Sequence, residues 1–303
     1  MRTRILIFVL MFTGLASYAQ QDAQFTQYMY NTININPAYA GSRGVMSIFG
    51  LHRTQWVGLD GAPTTNAFSL NTPLGESRLG LGVSFLNDKI GPTNENNISV
   101  DVSYYIPLNE TFKLAFGLKA SGNLFNLDSG KLNPLDPGDD HLQDVDNKFT
   151  PNIGAGMYLH SDKFYAGLSV PNLLQNSSYD DNAYSVRKRE INYYFITGYV
   201  FDLTPDLKFK PALLTKVVAG APLQIDVSGN FMFMDKFVLG GAYRWSAAAS
   251  VMAGFQITDG LFLGYGYDLE TTNLKHYNSG SHEVFLRFEL FKKYDRITTP
   301  RFF

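Results

Sequence analysis

From Gly44 onward, apolar and polar residues alternate with a period of two. Leu261, Leu263, Tyr265, Tyr267 and Leu269 share one face of a segment whose other face carries Gly264, Gly266, Asp268 and Glu270. Val284, Leu286, Phe288 and Leu290 oppose Glu283, Arg287 and Glu289, and Ile98, Val100, Val102 and Tyr104 oppose Ser99, Asp101 and Ser103. Phe112, Leu114, Phe116 and Leu118 oppose Lys113, Ala115, Gly117 and Lys119. Successive side chains of a β-strand point to opposite faces, so each segment reads as a strand with one apolar face. About fourteen of them follow one another, near 44–56, 64–73, 78–89, 94–107, 111–126, 149–160, 163–170, 189–202, 206–217, 222–234, 236–246, 248–257, 260–270 and 281–293. An even number of strands of roughly ten residues is what a tilted membrane barrel needs.

The connections alternate as well. One set is short: 74–77, 108–110, 161–162, 203–205, 235 and 258–259. The other set holds the long ones, 57–63, 127–148, 171–188 and 271–280. Short turns at one end and long loops at the other describe an outer-membrane barrel with its turns, and hence both chain ends, in the periplasm. Tyrosines and Trp245 toward the strand ends suit interfacial girdles. The predicted fold is therefore all-β, a transmembrane antiparallel barrel over 44–293 with a tail over 294–303.

One stretch does not alternate. Residues 20–43 contain Phe25, Tyr28 and Met29 at helical spacing, then Asn36-Pro37, which ends any helix because the residue before proline is pushed out of the helical region. The segment reads as a plug or collar at the periplasmic mouth. Its aromatic surface exceeds what a solvated leader needs, so Tyr28, Met29, Tyr30, Asn36, Pro37 and Tyr39 are expected to pack in the lumen, to hold a periplasmic partner, or both.

Composition adds the compartment. A basic start (Arg2, Arg4), an apolar run from Ile5 to Leu15 and the small-x-small site Ser17-Tyr18-Ala19 make a signal peptide over 1–19. Loss of its two arginines leaves 23 basic residues against 27 acidic ones, a net charge of −4 that offers nothing to nucleic acid. With no cysteine in the chain, lipid acylation of a thiol and disulfides are both excluded.

Candidate chemistry is sparse. Asp136, Asp139, Asp140, Asp144 and Asp146 crowd one loop beside His141 at a density that could hold calcium, but without the EF-hand spacing, and the preferred reading is a solvated acidic loop with no metal. His52, Arg53, Gln55 and Trp56 end the first strand, while His282 and Glu283 begin the last. In a closed barrel these strands pair, so the six residues are expected to form a hydrogen-bonded lumen network at the seam. No nucleophile motif, phosphate loop or zinc spacing accompanies them. No cofactor is expected and the chain is not read as an enzyme.

Several motifs carry a family resemblance. Gln24-Phe25-x-Gln27-Tyr28-Met29, Asn36-Pro37-Ala38-Tyr39-Ala40-Gly41, His52-Arg53-x-Gln55-Trp56-x-Gly58, Gly61-Ala62-Pro63 and Pro151-Asn152-x-Gly154-x-Gly156 occur in order. Phe164-Tyr165-x-Gly167-x-Ser169, Gly280-Ser281-His282-Glu283 and Pro300-Arg301-Phe302-Phe303 complete the series. Together they resemble the PorP/SprF family of type IX secretion membrane proteins of Bacteroidota. The resemblance implies an outer-membrane component of protein secretion, and of gliding in some relatives. Its implied partners are periplasmic ring subunits and a secreted cargo or adhesin, with outer-membrane lipid around it. A passive porin or hydrophobic-substrate channel is the competing expectation, and an unobstructed lumen would favour it.

Overall fold

The computed structural model describes residues 28–132, 144–175 and 190–290. Three short 3-10 turns, Tyr28–Tyr30, Thr32–Asn34 and Pro37–Tyr39, precede the strands. The strands are β1 (Met46–Thr54), β2 (Thr64–Pro73), β3 (Leu79–Ile90), β4 (Thr93–Pro107), β5 (Lys113–Leu127), β6 (Val145–His160), β7 (Phe164–Val170) and β8 (Asn192–Tyr199). They continue as β9 (Phe201–Thr204), β10 (Leu207–Val218), β11 (Gln224–Phe233), β12 (Phe237–Arg244), β13 (Ala248–Gln256), β14 (Leu261–Glu270) and β15 (Ser281–Leu290).

Every neighbour pair is antiparallel, and β1 pairs with β15 from Met46↔Leu290 to Thr54↔His282, which closes the cylinder. β8 and β9 both pair with β10 and keep one register, Gly198↔Ala212 and Phe201↔Phe209. They are two halves of one barrel strand, so the barrel has fourteen. The gap between them lies beside Pro211, which has no N–H to donate to the ladder. Closure leaves no unpaired edge, the condition for β-structure in hydrocarbon.

The faces follow the alternation. Val100, Val102, Leu118, Val251, Leu269 and Leu286 point outward, with Leu118 70 % exposed. An apolar band on this scale is insoluble in water and belongs in lipid. The opposite positions, Ser99, Asp101, Ser103, Lys119, Asp268 and Glu283, are buried inside. The hairpin turns at one end are short; that between β11 and β12 places Met234 and Asp235 at φ 51° and 54°, the geometry that fits the right-handed twist of its strands. The longer connections 55–63, 128–144, 171–191 and 271–280 lie at the other end, where β4, β5 and β6 also reach furthest. The signal peptide, Gln24 to Gln27, Asp136 to His141 and the ending Pro300 to Phe303 lie outside the described residues.

Candidate functional site

The bore is occupied. Residues 28–42 fold back into the cylinder as a plug, and Tyr28, Met29, Tyr30, Ile33 and Tyr39 are all buried there. Local chemistry shapes the segment: Asn36 caps the last turn, its Oδ1 accepting from Ala38 N at 3.0 Å, and Pro37 occupies the first position, where no donor is needed.

Two opposite walls hold it. Tyr30 packs on Phe285 and Phe262, ring centroids 4.7 and 5.5 Å away, and faces Lys210 Nζ and the Arg287 guanidinium at 5.4 and 5.8 Å. Asn36 Nδ2 donates to Met157 O of β6 at 3.0 Å. β6 and β14 stand seven strands apart in either direction round the ring, so the segment crosses the whole bore.

Between these anchors the wall donates to the plug backbone. Ser169 Oγ gives its proton to Ile35 O at 2.7 Å and Ser103 Oγ to Ala40 O at 2.6 Å. Lys119 Nζ reaches Ile33 O and Asn34 O, each at 3.3 Å, while paired with Asp101. Ser69 Oγ bonds Asn31 Oδ1 at 3.1 Å. Close approach depends on missing side chains. A Cβ on Gly117 would overlap the backbone of Pro37 and Ala38, one on Gly80 would overlap Ala40 O, and one on Gly156 would overlap Asn36 Oδ1.

The plug's phenols are buried among charged and polar wall groups: Tyr30 beside Lys210 and Arg287, Tyr28 beside Ser228, Asp226 and Arg244. Burial pushes the Tyr30 hydroxyl up to about 12, only partly offset by Arg287 and Arg43, and raises Tyr28 further. Arg43, where the plug joins β1, donates to Tyr39 OH at 3.1 Å and pairs with Glu289.

All six plug residues named from the sequence are therefore gathered in the lumen. A partner could reach the buried side chains only if the plug moved, so docking through them is not what this conformation presents.

The seam residues divide by parity. Arg53 and Glu283 face inward and pair at 3.1 Å, and Arg53 also pairs with Asp268 at 2.6 Å. His52 and His282 face outward and do not meet. His52 Nδ1 lies 2.8 Å from Asn66 Oδ1, and His282 Nδ1 lies 2.7 Å from Tyr265 OH. The expected single lumen network is corrected to an inner ion triad and separate outer contacts, because neighbours along a strand point to opposite faces. Trp56 adopts φ 46° beyond the strand end and donates from Nε1 to Glu270 at 2.8 Å, while Gln55 bonds Pro63 O through its backbone.

Other inward charges compensate too, Arg244 with Asp226 and Arg287 with Glu289. In the acidic loop, Asp144 accepts from Ser129 N and Oγ, both at 2.7 Å, which holds its carboxyl below the usual range. Among the described residues no three His, Asp or Glu side chains converge as a metal site. Asp268 and the glycine wall were missed from the sequence as partners of Arg53 and the plug. The inward parity of Asp268, Gly80, Gly117 and Gly156 is the signal that points to them.

Among solved structures the chain is similar to a monoaromatic hydrocarbon channel, CymD, with 11 % identity over 88 % of this chain and 94 % of that one and a TM-score of 0.49. It is also similar to the outer membrane protein Omp33 of Acinetobacter baumannii, with 10 % identity over 81 % and 98 % and a TM-score of 0.48. The toluene transporter TbuX of Ralstonia pickettii follows, with 9 % identity over 84 % and 91 % and a TM-score of 0.46. No curated protein sequence matches. The family model for the type IX secretion system membrane protein PorP/SprF matches residues 17–288, nearly the whole chain. The chain belongs to the PorP/SprF family and is an outer-membrane barrel of type IX secretion.

Proposed function

We propose that this barrel serves type IX secretion as a membrane-anchored docking component and not as a passage for solutes. The observation that carries the proposal is the plug, which spans the bore from β14 to β6 and is donated to by four wall side chains. An aqueous channel for free solute flow leaves its lumen open, whereas this lumen is filled by the chain's own segment. With the short turns in the periplasm, the surfaces open to periplasmic ring subunits are the turn tips, including Glu110, Asp206 and the exposed Met234. A secreted cargo or adhesin is the second partner class. The chemistry is recognition, with no catalytic step.

Site-specific photocrosslinking tests this in cells. Probes at Glu110, Asp206 and Met234 are expected to capture periplasmic machine subunits, and removal of the chain is expected to block export of its cargo. Normal export without the chain, together with slower uptake of small solutes, would favour the channel instead.

A further inference from the structure

The outward side of the seam carries a feature that docking and plugging leave unused. A polar row, one imidazole followed by amides, crosses four strands in direct register: His52↔Asn66, Asn66↔Asn87 and Asn87↔Asn96. His52 Nδ1–H donates to Asn66 Oδ1, Asn66 Nδ2 donates to Asn87 Oδ1 at 3.3 Å, and Asn87 Nδ2 donates to Asn94 and Asn96 Oδ1 at 2.7 and 2.9 Å. One row nearer the membrane centre, the same face presents Phe68, Phe85 and Ile98, all exposed. One row further out, the exposed Lys89 stands opposite Asn94.

We propose that this face of β1–β4 binds the phosphorylated sugar headgroup of an outer-leaflet glycolipid. Three observations carry it. The layering is amphiphilic, with an apolar row for acyl chains, then amides, then a cation. The ladder runs in one direction: its carbonyl oxygens are consumed as acceptors and it ends on the two NH2 groups of Asn94 and Asn96, so the surface is rich in donors. Donors beside a lysine suit phosphate oxygens, hydroxyls and acyl carbonyls. The height favours a sugar. From Phe85 to Lys89 the strand climbs ~13 Å, or about 10 Å along the membrane normal at the usual tilt. A phospholipid headgroup layer is only about 5–7 Å deep on each side. The proposal rests on placing the long-loop end outside the cell, which surface labelling of a cysteine at Asp128 checks independently.

The test is lipid retention by the full mature protein. Barrel purified from outer membranes is compared with N66L/N87L/N96L, and with K89A as a variant that leaves the ladder intact. All three are also reconstituted in nanodiscs of phospholipid alone or phospholipid with lipid A. Wild type is expected to carry bound glycolipid by mass spectrometry and to gain several degrees in unfolding temperature from lipid A. The triple variant is expected to lose most of both and K89A part of both. Equal retention by wild type and both variants, or an equal gain from phospholipid alone, would overturn the proposal. If the triple variant fails to fold, retention by K89A indistinguishable from wild type overturns the lysine–phosphate contact and with it the headgroup assignment.

Discussion

Replacing Gly80, Gly117 and Gly156 together by valine is expected to expel the plug, whereas one alanine at any of these positions is not. A single added Cβ falls roughly 1 Å inside ordinary contact with the plug. Overpacking of that size costs about 1–3 kcal/mol. Leaving the lumen would re-expose Tyr28, Met29, Tyr30, Ile33 and Tyr39, and at roughly 1.5–3 kcal/mol per large apolar side chain the sum is ~7–15 kcal/mol. Local displacement of the Pro37–Tyr39 turn is therefore cheaper than ejection for one alanine. Three β-carbons impose ~3–9 kcal/mol, and the six further methyls of valine bring the strain to the scale of the holding energy. All three positions lie on the inner faces of β3, β5 and β6, and valine favours strands, so wall and lipid face are spared. The assay is maleimide labelling of Ile33→Cys in reconstituted protein, with no background because the native chain lacks cysteine. Slow labelling in wild type and single variants and fast labelling in the triple variant is expected. Fast labelling of G117A, or continued protection in the triple variant, would refute the reasoning.

Arg53→Met should remove the guanidinium that pairs with both Asp268 and Glu283 and cost about 3–5 kcal/mol, read as a lower temperature of heat-modifiable migration; a companion D268L/E283L change should recover much of it. Raising the pH should loosen the plug, because released phenols ionise near 10 while the buried Tyr30 resists to about 12. That contribution is full below pH ~10, is lost as pH rises toward 12, and should appear as faster Ile33→Cys exposure over that window, with Y30F shifting the response. A cysteine at Asp128 should label in whole cells with an impermeant maleimide and one at Glu76 should not; the reverse pattern would invert the topology.

Much of this fold was legible because the barrel obeys a two-residue rule almost everywhere. Val284, Leu286 and Phe288 point outward and Glu283 and Arg287 inward, as their alternation requires. β1 was harder, since Phe49 and Leu51 are apolar and yet face inward, against the plug side of the lumen, while His52 is polar and faces out. Apolar residues on both faces blur the parity of β1 and so hide the outward position of His52, whereas His282 shares the outward parity of Val284 and Leu286, a signal its own strand carries. The break between β8 and β9 depends on Pro211 in the neighbouring strand, a pairing that no local pattern encodes. Aromatic content predicts that the stretch packs against something, but not the path of residues 28–42 across the bore. That path is set by absent side chains at Gly80, Gly117 and Gly156 and by serines on three strands, whose convergence appears only once the barrel closes.

Single-channel recording in planar bilayers most directly tests the claim that the barrel is sealed by its own N-terminal segment. The intact mature protein should insert without resolvable conductance, and the same protein lacking residues 28–42 should give large, stable steps. Steady conductance from the intact protein, unchanged by the deletion, would contradict the account.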